Sequence, residues 1–219
     1  MEQVVIIVAG GKGLRMGSQT PKQFLEINGK AIIIHTIEKF KQALPSARLV
    51  LVLPKNELPR WQSLADKHKI SGVSCVAGGK TRFDSVKAGL TEVKCSSLVA
   101  IHDAVRPFVS IETIKDCMRV AEKNGAAIPV INLNDSIRKV TNDGSFAVDR
   151  SEYKLVQTPQ CFKSEILVKA YAQNYQQHFT DDASVVESIG QKVRLTVGNH
   201  ENIKLTNPAD LKWANSLFL

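Results

Sequence analysis

Four cysteines are all the sequence contains, Cys75, Cys95, Cys117 and Cys161, and no two lie close together. There is no CxxC pair and no Cys/His cluster, and His35, His68, His102, His178 and His200 show no ligand spacing. A zinc site therefore has no support and a disulfide framework is unneeded; the cysteines are expected to be reduced and mostly in the core. Long apolar runs are also lacking, since nothing approaches the ~20 residues that a membrane span needs. The first residues carry no basic segment. Their short apolar run leads into a glycine loop rather than a cleavage site, so no secretory signal is read and cytoplasmic residence is expected.

Acid is the minority charge, with 21 Asp and Glu against 29 Lys and Arg and a formal net charge of +8. That balance admits nucleic acid, an acidic membrane or small polyanions as partners. The cations are scattered, however, with no block of them as in a nucleic-acid tail and no groove-reading motif. A small phosphorylated substrate fits this pattern better than a nucleic acid or a membrane. With 219 residues, 43% apolar and 23% charged, the chain suits one generous domain with a real core.

What is present is an alternation. Val4–Val8, Arg48–Leu53, Val73–Val76, Leu98–His102 and Ala126–Ile131 are short β-branched, apolar runs that read as buried strands. Between them Ile32–Gln42, Leu58–Lys69, Arg82–Val93 and Thr113–Asn124 carry apolar residues at three and four spacing, as amphipathic helices do. The pattern predicts an α/β fold, a mostly parallel twisted sheet flanked by helices, whose ligands bind at the carboxyl ends of strands.

After Ile131 the alternation stops. Residues 136–150 hold an Asn-Asp-Gly turn between two β-patterned segments, a hairpin signal. Ser136 to Val140 has too few apolar side chains for a core strand. A solvated surface hairpin and an arm that pairs with a second subunit both account for it. Beyond it are expected a helix at Ser164–Gln177, a shorter one at Asp182–Ser188, a strand at Val193–Val197, and a last helix opened by Asn207-Pro208. Residues 1–219 read as one domain, with 134–155 as a projecting β-arm.

The densest chemistry follows the first strand, where Gly10, Gly11, Gly13, Arg15, Pro21 and Lys22 fall close together. Glycines here let backbone N–H groups approach an anion. The dinucleotide pattern G-x-G-x-x-G fails, because Met16 stands where its third glycine should be. The P-loop pattern fails at Gly79-Lys80-Thr81, because Ser74 stands where the earlier glycine should be. What remains is a glycine turn with two cations, suited to a polyphosphate whose charge must be neutralised as a bond breaks. "AGGKTRFDSV" ends a predicted strand and enters a helix, so Gly79 and Ser85 could meet a nucleotide or merely form a tight turn. Asp103, just past another buried strand, needs a cation or hydroxyl partner; it suits either a hard Mg²⁺ completed by substrate phosphates or a pairing with Arg106.

"AGGKGLRMGSQTPKQFLEINGKAIIIHTIEKF" resembles the opening signature of the sugar-phosphate nucleotidyltransferases, and within them the methylerythritol phosphate cytidylyltransferase family. "GGKTRFDSV", "HDAVRPFV", "VDRSEYKLVQTPQCF", "TDDASVVE" and "NIKLTNPADL" agree with that family in the same order. The resemblance implies a Rossmann-like nucleotidyltransferase fold. It also implies transfer of a cytidylyl group from CTP to methylerythritol phosphate, Mg²⁺, and a homodimer whose arms interlock.

In such a reaction an ionised phosphate oxygen attacks the α-phosphorus of CTP, so alignment and neutralisation matter and no strong base is needed. The absence of a Ser-His-Asp set or a carboxylate pair accords with that. Arg15 and Lys22 are the candidates for stabilising charge on the α-phosphate. Gly10, Gly11 and Gly13 should line the triphosphate, with Ala9 on the cytosine side. The family pattern adds Gly79, Arg82 and Ser85 to nucleotide recognition and gives Asp103 to the metal and Arg106 to the sugar phosphate. By resemblance alone, Ser136, Thr158 and Thr180 join the sugar-phosphate site, and Arg150 and Lys204 supply catalytic charge. Ser136 stands where the family commonly has threonine, which keeps the hydroxyl. Ser136 and Arg150, lying on the arm, would then act in the neighbour's site. Two alternatives stand beside this reading: a ribitol-5-phosphate cytidylyltransferase and a non-catalytic nucleotide-binding protein.

Overall fold

A computed structural model describes residues 1–10 and 20–217. In chain order the elements are β1 (Glu2–Val8), β2 (Glu26–Ile27), β3 (Lys30–Ala31), α1 (Ile32–Ala43), β4 (Arg48–Leu53), α2 (Leu58–Lys67), β5 (Val73–Ala77), α3 (Arg82–Leu90), β6 (Ser97–Asp103) and α4 (Ile111–Asn124). They continue with β7 (Ala126–Asn132), β8 (Ile137–Thr141), β9 (Gly144–Val148), β10 (Lys154–Val156), β11 (Gln160–Lys163), α5 (Ser164–Tyr171), α6 (Asp182–Glu187), β12 (Arg194–Val197) and α7 (Pro208–Ser216).

The main sheet has the order β10-β7-β11-β6-β1-β4-β5, with β12 on β7. β6, β1, β4 and β5 run parallel, as does the β12–β7 pair, while β11 and β10 are antiparallel to their neighbours. The expected mostly parallel sheet flanked by helices is what forms. Period-two alternation explains why both faces are covered. Val5 and Ile7 of β1, Leu49, Leu51 and Leu53 of β4, and Leu98 and Ala100 of β6 pack into one core with α1, α2 and α4. Val4, Ile6, Val50, Val52, Val99 and Ile101 point the other way, into a core shared with α3, α5 and α6.

β1 leads through α1 and α2 to β4 and β5 on one side, whereas α3 carries the chain back to β6 on the other side of β1. Strand order therefore reverses between β1 and β6, the place where open α/β sheets form a crevice. A third, smaller core of Ile27, Ile32, Val105, Leu205 and Ala214 packs α7 and the β2–β3 hairpin beside that crevice.

Differences from the sequence expectations are local. The helix predicted to Gln177 stops at Tyr171. No Gly or Pro marks that stop; instead the Gln173 side chain donates to the Ala170 carbonyl at 2.7 Å and to Ser188 Oγ at 2.8 Å. The helix predicted to Val93 ends at Leu90, and Thr91, Glu92 and Val93 follow as a tighter turn with i→i−3 bonds. The β2–β3 hairpin, turned at Asn28-Gly29 with both φ positive, adds to the expected elements. Only Cys117 and Cys161 are buried; Cys75 lies on the edge strand β5 and Cys95 in the turn before β6, and both are exposed.

The hairpin after Ile131 does form, as β8 and β9 with Thr141 opposite Gly144. It is a separate two-stranded sheet. Val140 is 79% exposed and Phe146 48%. Among the described residues, no helix is long and apolar enough to cross a membrane.

Candidate active site

A cleft of about 240 Å³ opens at the carboxyl ends of β1 and β6. It brings together Ala9, Gly10, Lys22, Gly79, Arg82, Ser85, Asp103 and Lys204 from the sequence-predicted residues, and adds Gln23 among others. Gly11, Gly13 and Arg15 lie outside the described residues.

Local chemistry sets each wall. The turn Lys22–Phe24 is held by Gln23, which is 1% exposed and donates from Nε2 to the Ala9 carbonyl at 2.9 Å. The Ala9 N–H in turn donates to the Val52 carbonyl at 2.9 Å. At the opposite wall, Thr81 and Asp84 form a capping box that starts α3. Gly79 must be glycine there, because a Cβ would fall 2.2 Å from Asp84 Cβ. Ser85 donates its hydroxyl proton to the Thr81 carbonyl at 2.9 Å, which leaves the lone pairs of Oγ as acceptors.

The floor is Asp103, the last residue of β6. Its Oδ2 lies 3.0 Å from Lys204 Nζ and 3.3 Å from Arg106 Nε, and its Oδ1 lies 3.6 Å from Arg82 Nε. Burial alone would raise the carboxyl's pKa, but the charges of Arg82, Lys204 and Arg106 outweigh it and hold the group well below the usual carboxylate range. Lys204 reaches it because its neighbour Leu205 is fully buried and donates its N–H to the Val105 carbonyl at 2.9 Å. Arg106 also donates from Nη1 to the Asn202 carbonyl at 2.7 Å, so it braces Asp103 from beside the cleft.

Beneath Asp103 sits a neutral relay. His102 is completely buried, and burial lowers its pKa to about 4. Its Nε2 faces the Arg106 carbonyl at 3.1 Å, which can only accept, so the ring proton is on Nε2. Nδ1 then accepts from the Thr158 hydroxyl at 3.0 Å, and the Thr158 oxygen accepts the Asp103 N–H at 3.2 Å. Thr158, expected in the sugar-phosphate site, thus lies under Asp103 rather than in the cleft lining.

The remaining sequence candidates do not line this cleft. Thr180 is exposed and immediately precedes Asp181, the N-cap of α6. Ser136 and Arg150 flank the β8–β9 hairpin, both exposed, with Arg150 bonded to the Asn134 carbonyl. Sequence reasoning missed Gln23 and Asp182. Gln23 carried a signal, its place in the Pro21-Lys22-Gln23 run; Asp182 carried one in the acidic pair after Thr180.

Residues 3–218 match the family described as 2-C-methyl-D-erythritol 4-phosphate cytidylyltransferase. A Bacteroides thetaiotaomicron protein of that name is 51% identical over 218 residues, covering 99% of this chain and 100% of the relative. The crystal structure of the enzyme of that name from Thermus thermophilus is similar with a TM-score of 0.81 at 31% identity, covering 99% of this chain and 98% of that one. The structure titled 4-diphosphocytidyl-2C-methyl-D-erythritolsynthase from Anaerococcus prevotii reaches a TM-score of 0.85 at 27% identity, covering 99% and 96%.

Proposed function

The chain belongs to the 2-C-methyl-D-erythritol 4-phosphate cytidylyltransferase family, and on that premise we propose how its cleft carries the reaction. The protein is a nucleotidyltransferase. It transfers a cytidylyl group from CTP to 2-C-methyl-D-erythritol 4-phosphate, giving 4-diphosphocytidyl-2-C-methyl-D-erythritol and pyrophosphate in non-mevalonate isoprenoid biosynthesis.

The difficulty is that two polyanions must meet. The acceptor's phosphate oxygen is already ionised at neutral pH, so its lone pair attacks the α-phosphorus directly while pyrophosphate departs in line. Lys22 and Lys204 stabilise the charge that gathers around that phosphorus. The observation that carries this reading is that these two lysines, from opposite ends of the chain, line the same cleft as Asp103 and Arg82. The family resemblance adds Arg15 to these cations and gives the triphosphate the backbone N–H groups of Gly10, Gly11 and Gly13, of which Gly10 lines the cleft. Ala9, Gly79 and Ser85 take the cytosine side. Ser85, whose proton is already committed to Thr81, accepts there rather than donates.

Asp103 would hold a Mg²⁺ ion together with the phosphates. Its Oδ1 is the less engaged oxygen among the described residues, with Arg82 Nε at 3.6 Å, and it is a hard donor. No cluster of three His, Cys, Asp or Glu that could hold a metal occurs among the described residues, so Asp103 would hold the ion only together with substrate phosphates. Bound there, the ion would neutralise phosphate charge. Cations lie near both of its oxygens, so Asp103 would hold such an ion only where the phosphates supply further negative charge.

The acceptor lies on the Arg106, Thr180 and Lys204 side, with Thr158 steadying Asp103 from below. Residues 1–219 act as one domain with 134–155 as an arm, and two copies form a homodimer in the cytoplasm. Ser136 and Arg150 then complete the neighbour's site. The exposure of Val140 and Phe146 on the β8–β9 hairpin, which pairs with no strand of the main sheet, supports this, whereas the last residues of that range, Lys154 and Leu155, already belong to β10 beside β7. Pyrophosphate release measured with CTP and either methylerythritol phosphate or ribitol 5-phosphate tests the reading. Turnover of the ribitol ester alone would overturn it.

A further inference from the structure

Asp182 is a completely buried acid that the mechanism above leaves unused. It accepts from both ends of the Arg82 fork, Nη1 to Oδ1 at 2.9 Å and Nη2 to Oδ2 at 2.6 Å. Its Oδ1 also accepts the Tyr171 hydroxyl at 2.5 Å. Paired, charge-assisted bonds of this kind are strong and strict in geometry. The clamp is itself braced. Tyr171 stacks on Phe83, the neighbour of Arg82, with ring centroids 4.7 Å apart. Gln160 of β11, also buried, donates to Asp181 Oδ2 at 2.7 Å and accepts the Ala183 N–H at 2.9 Å, fixing the start of α6 to the sheet.

Arg82, which lines the cleft, therefore commits its two terminal nitrogens to Asp182, which does not, and presents its Nε edge to Asp103 Oδ1. It cannot turn without stranding a buried carboxylate, which is strongly unfavourable. We infer that Asp182 is a positioning residue for the transfer: it locks Arg82 against Asp103 and ties the segment starting at Thr180 to the nucleotide-side helix α3. The spacing between the two substrates' subsites then depends on this buried pair. The inference rests on the reading above that Asp103 serves the transfer, and on Arg82 belonging, as the resemblance implies, to the nucleotide side of the same cleft.

A double-mutant cycle on the full-length protein decides it. Asp182→Asn keeps the shape and removes the charge; it is expected to lower kcat by about tenfold or more in protein whose circular dichroism matches the parent. Because Asp182 acts through Arg82, Arg82→Met/Asp182→Asn should have a kcat within about twofold of Arg82→Met alone. A purely structural acid would leave kcat per folded molecule unchanged, or its loss would multiply with that of Arg82→Met; either result overturns the inference. Parental kcat in Arg82→Met would instead sink the reading of Arg82 itself and this inference with it. If Asp182→Asn does not fold, the same cycle is run with Tyr171→Phe, which keeps the stacked ring and removes one bond to Asp182, and the same two criteria decide.

Discussion

Lys204 Nζ rests 3.0 Å from Asp103 Oδ2, joining a residue near the end of the chain to the last residue of β6. The contact matters unequally for stability and for chemistry. Without the lysine, Asp103 still keeps Arg82 and Arg106, and the lysine side chain is itself 41% exposed. Lys204→Ala should therefore cost less than about 1 kcal/mol of stability. Its kcat should fall by about a hundredfold or more, since a fixed cation at the reacting phosphates is lost. Urea titration paired with steady-state pyrophosphate release checks both halves; a destabilised variant with normal kcat would make Lys204 structural only.

Gly79→Ala probes the nucleotide wall. The added Cβ meets Asp84 Cβ at 2.2 Å and the Asp84 backbone at 3.3 Å, neither of which is a flexible end that can swing away. The first turn of α3 must move and the Thr81–Asp84 capping box must open. We expect a loss of about 1–3 kcal/mol and a CTP affinity at least about tenfold weaker, since the turn that Ser85 bonds to shifts with it. Calorimetric titration with CTP, beside a thermal melt, is the check. A stable variant with undiminished CTP binding would remove this turn from the nucleotide subsite.

Much of the fold was legible because the buried strands are nearly continuous Val, Ile and Leu runs and the helices between them keep one apolar face. β1, β4 and β6 could hardly be read otherwise, and Asn207-Pro208 opens α7 as its capping chemistry demands. The stop of α5 was illegible because it depends on Gln173 meeting Ala170 and Ser188, a tertiary arrangement with no local marker. The site divides the same way. Asp103 stood out by its place at a strand end and Lys22 as a cation of the glycine loop that follows β1, whereas Lys204 was an ordinary cation until Leu205 and Val105 anchored it over Asp103. Thr158 was placed by resemblance in the sugar-phosphate site; its hydroxyl turns instead to His102 and the Asp103 N–H, a pairing across strands that no spacing reveals.

His102 gives the protein a calculable response to acid. Its pKa is lowered by burial from 6.5 to about 4 in the fold. Between those values the unfolded chain binds a proton that the folded chain refuses, so stability rises with pH. The contribution is complete above about 6.5 and is lost as pH falls toward 4, amounting to roughly 3 kcal/mol. Asp103 reaches only the foot of this window: its folded pKa lies well below its ordinary value of 3.8, so its contribution is present above that value and is lost as pH falls below it. His102→Gln keeps a donor and an acceptor but cannot titrate. Urea midpoints for the parent should decline between pH 6.5 and 4 more steeply than those of the variant. Parallel profiles would show that the imidazole is not held neutral.

The arm makes the strongest demand on assembly. Arg150 and Ser136 are exposed and flank a hairpin that contributes no strand to the main sheet, while Lys22 sits in the cleft of the same protomer. If each site takes Lys22 from one copy and Arg150 from the other, Lys22→Ala and Arg150→Ala homodimers are both nearly inactive. A mixed dimer then contains one site with both lesions and one site with neither. Verified heterodimers, separated by two different affinity tags, should recover about half the parental kcat per dimer, because the intact site works independently. If instead both residues served the cleft of their own chain, every site in the heterodimer would carry one lesion and activity would stay at the level of the single variants. Lys22→Ala alone should fold normally and lose turnover by about a hundredfold or more, which sets the background against which recovery is read.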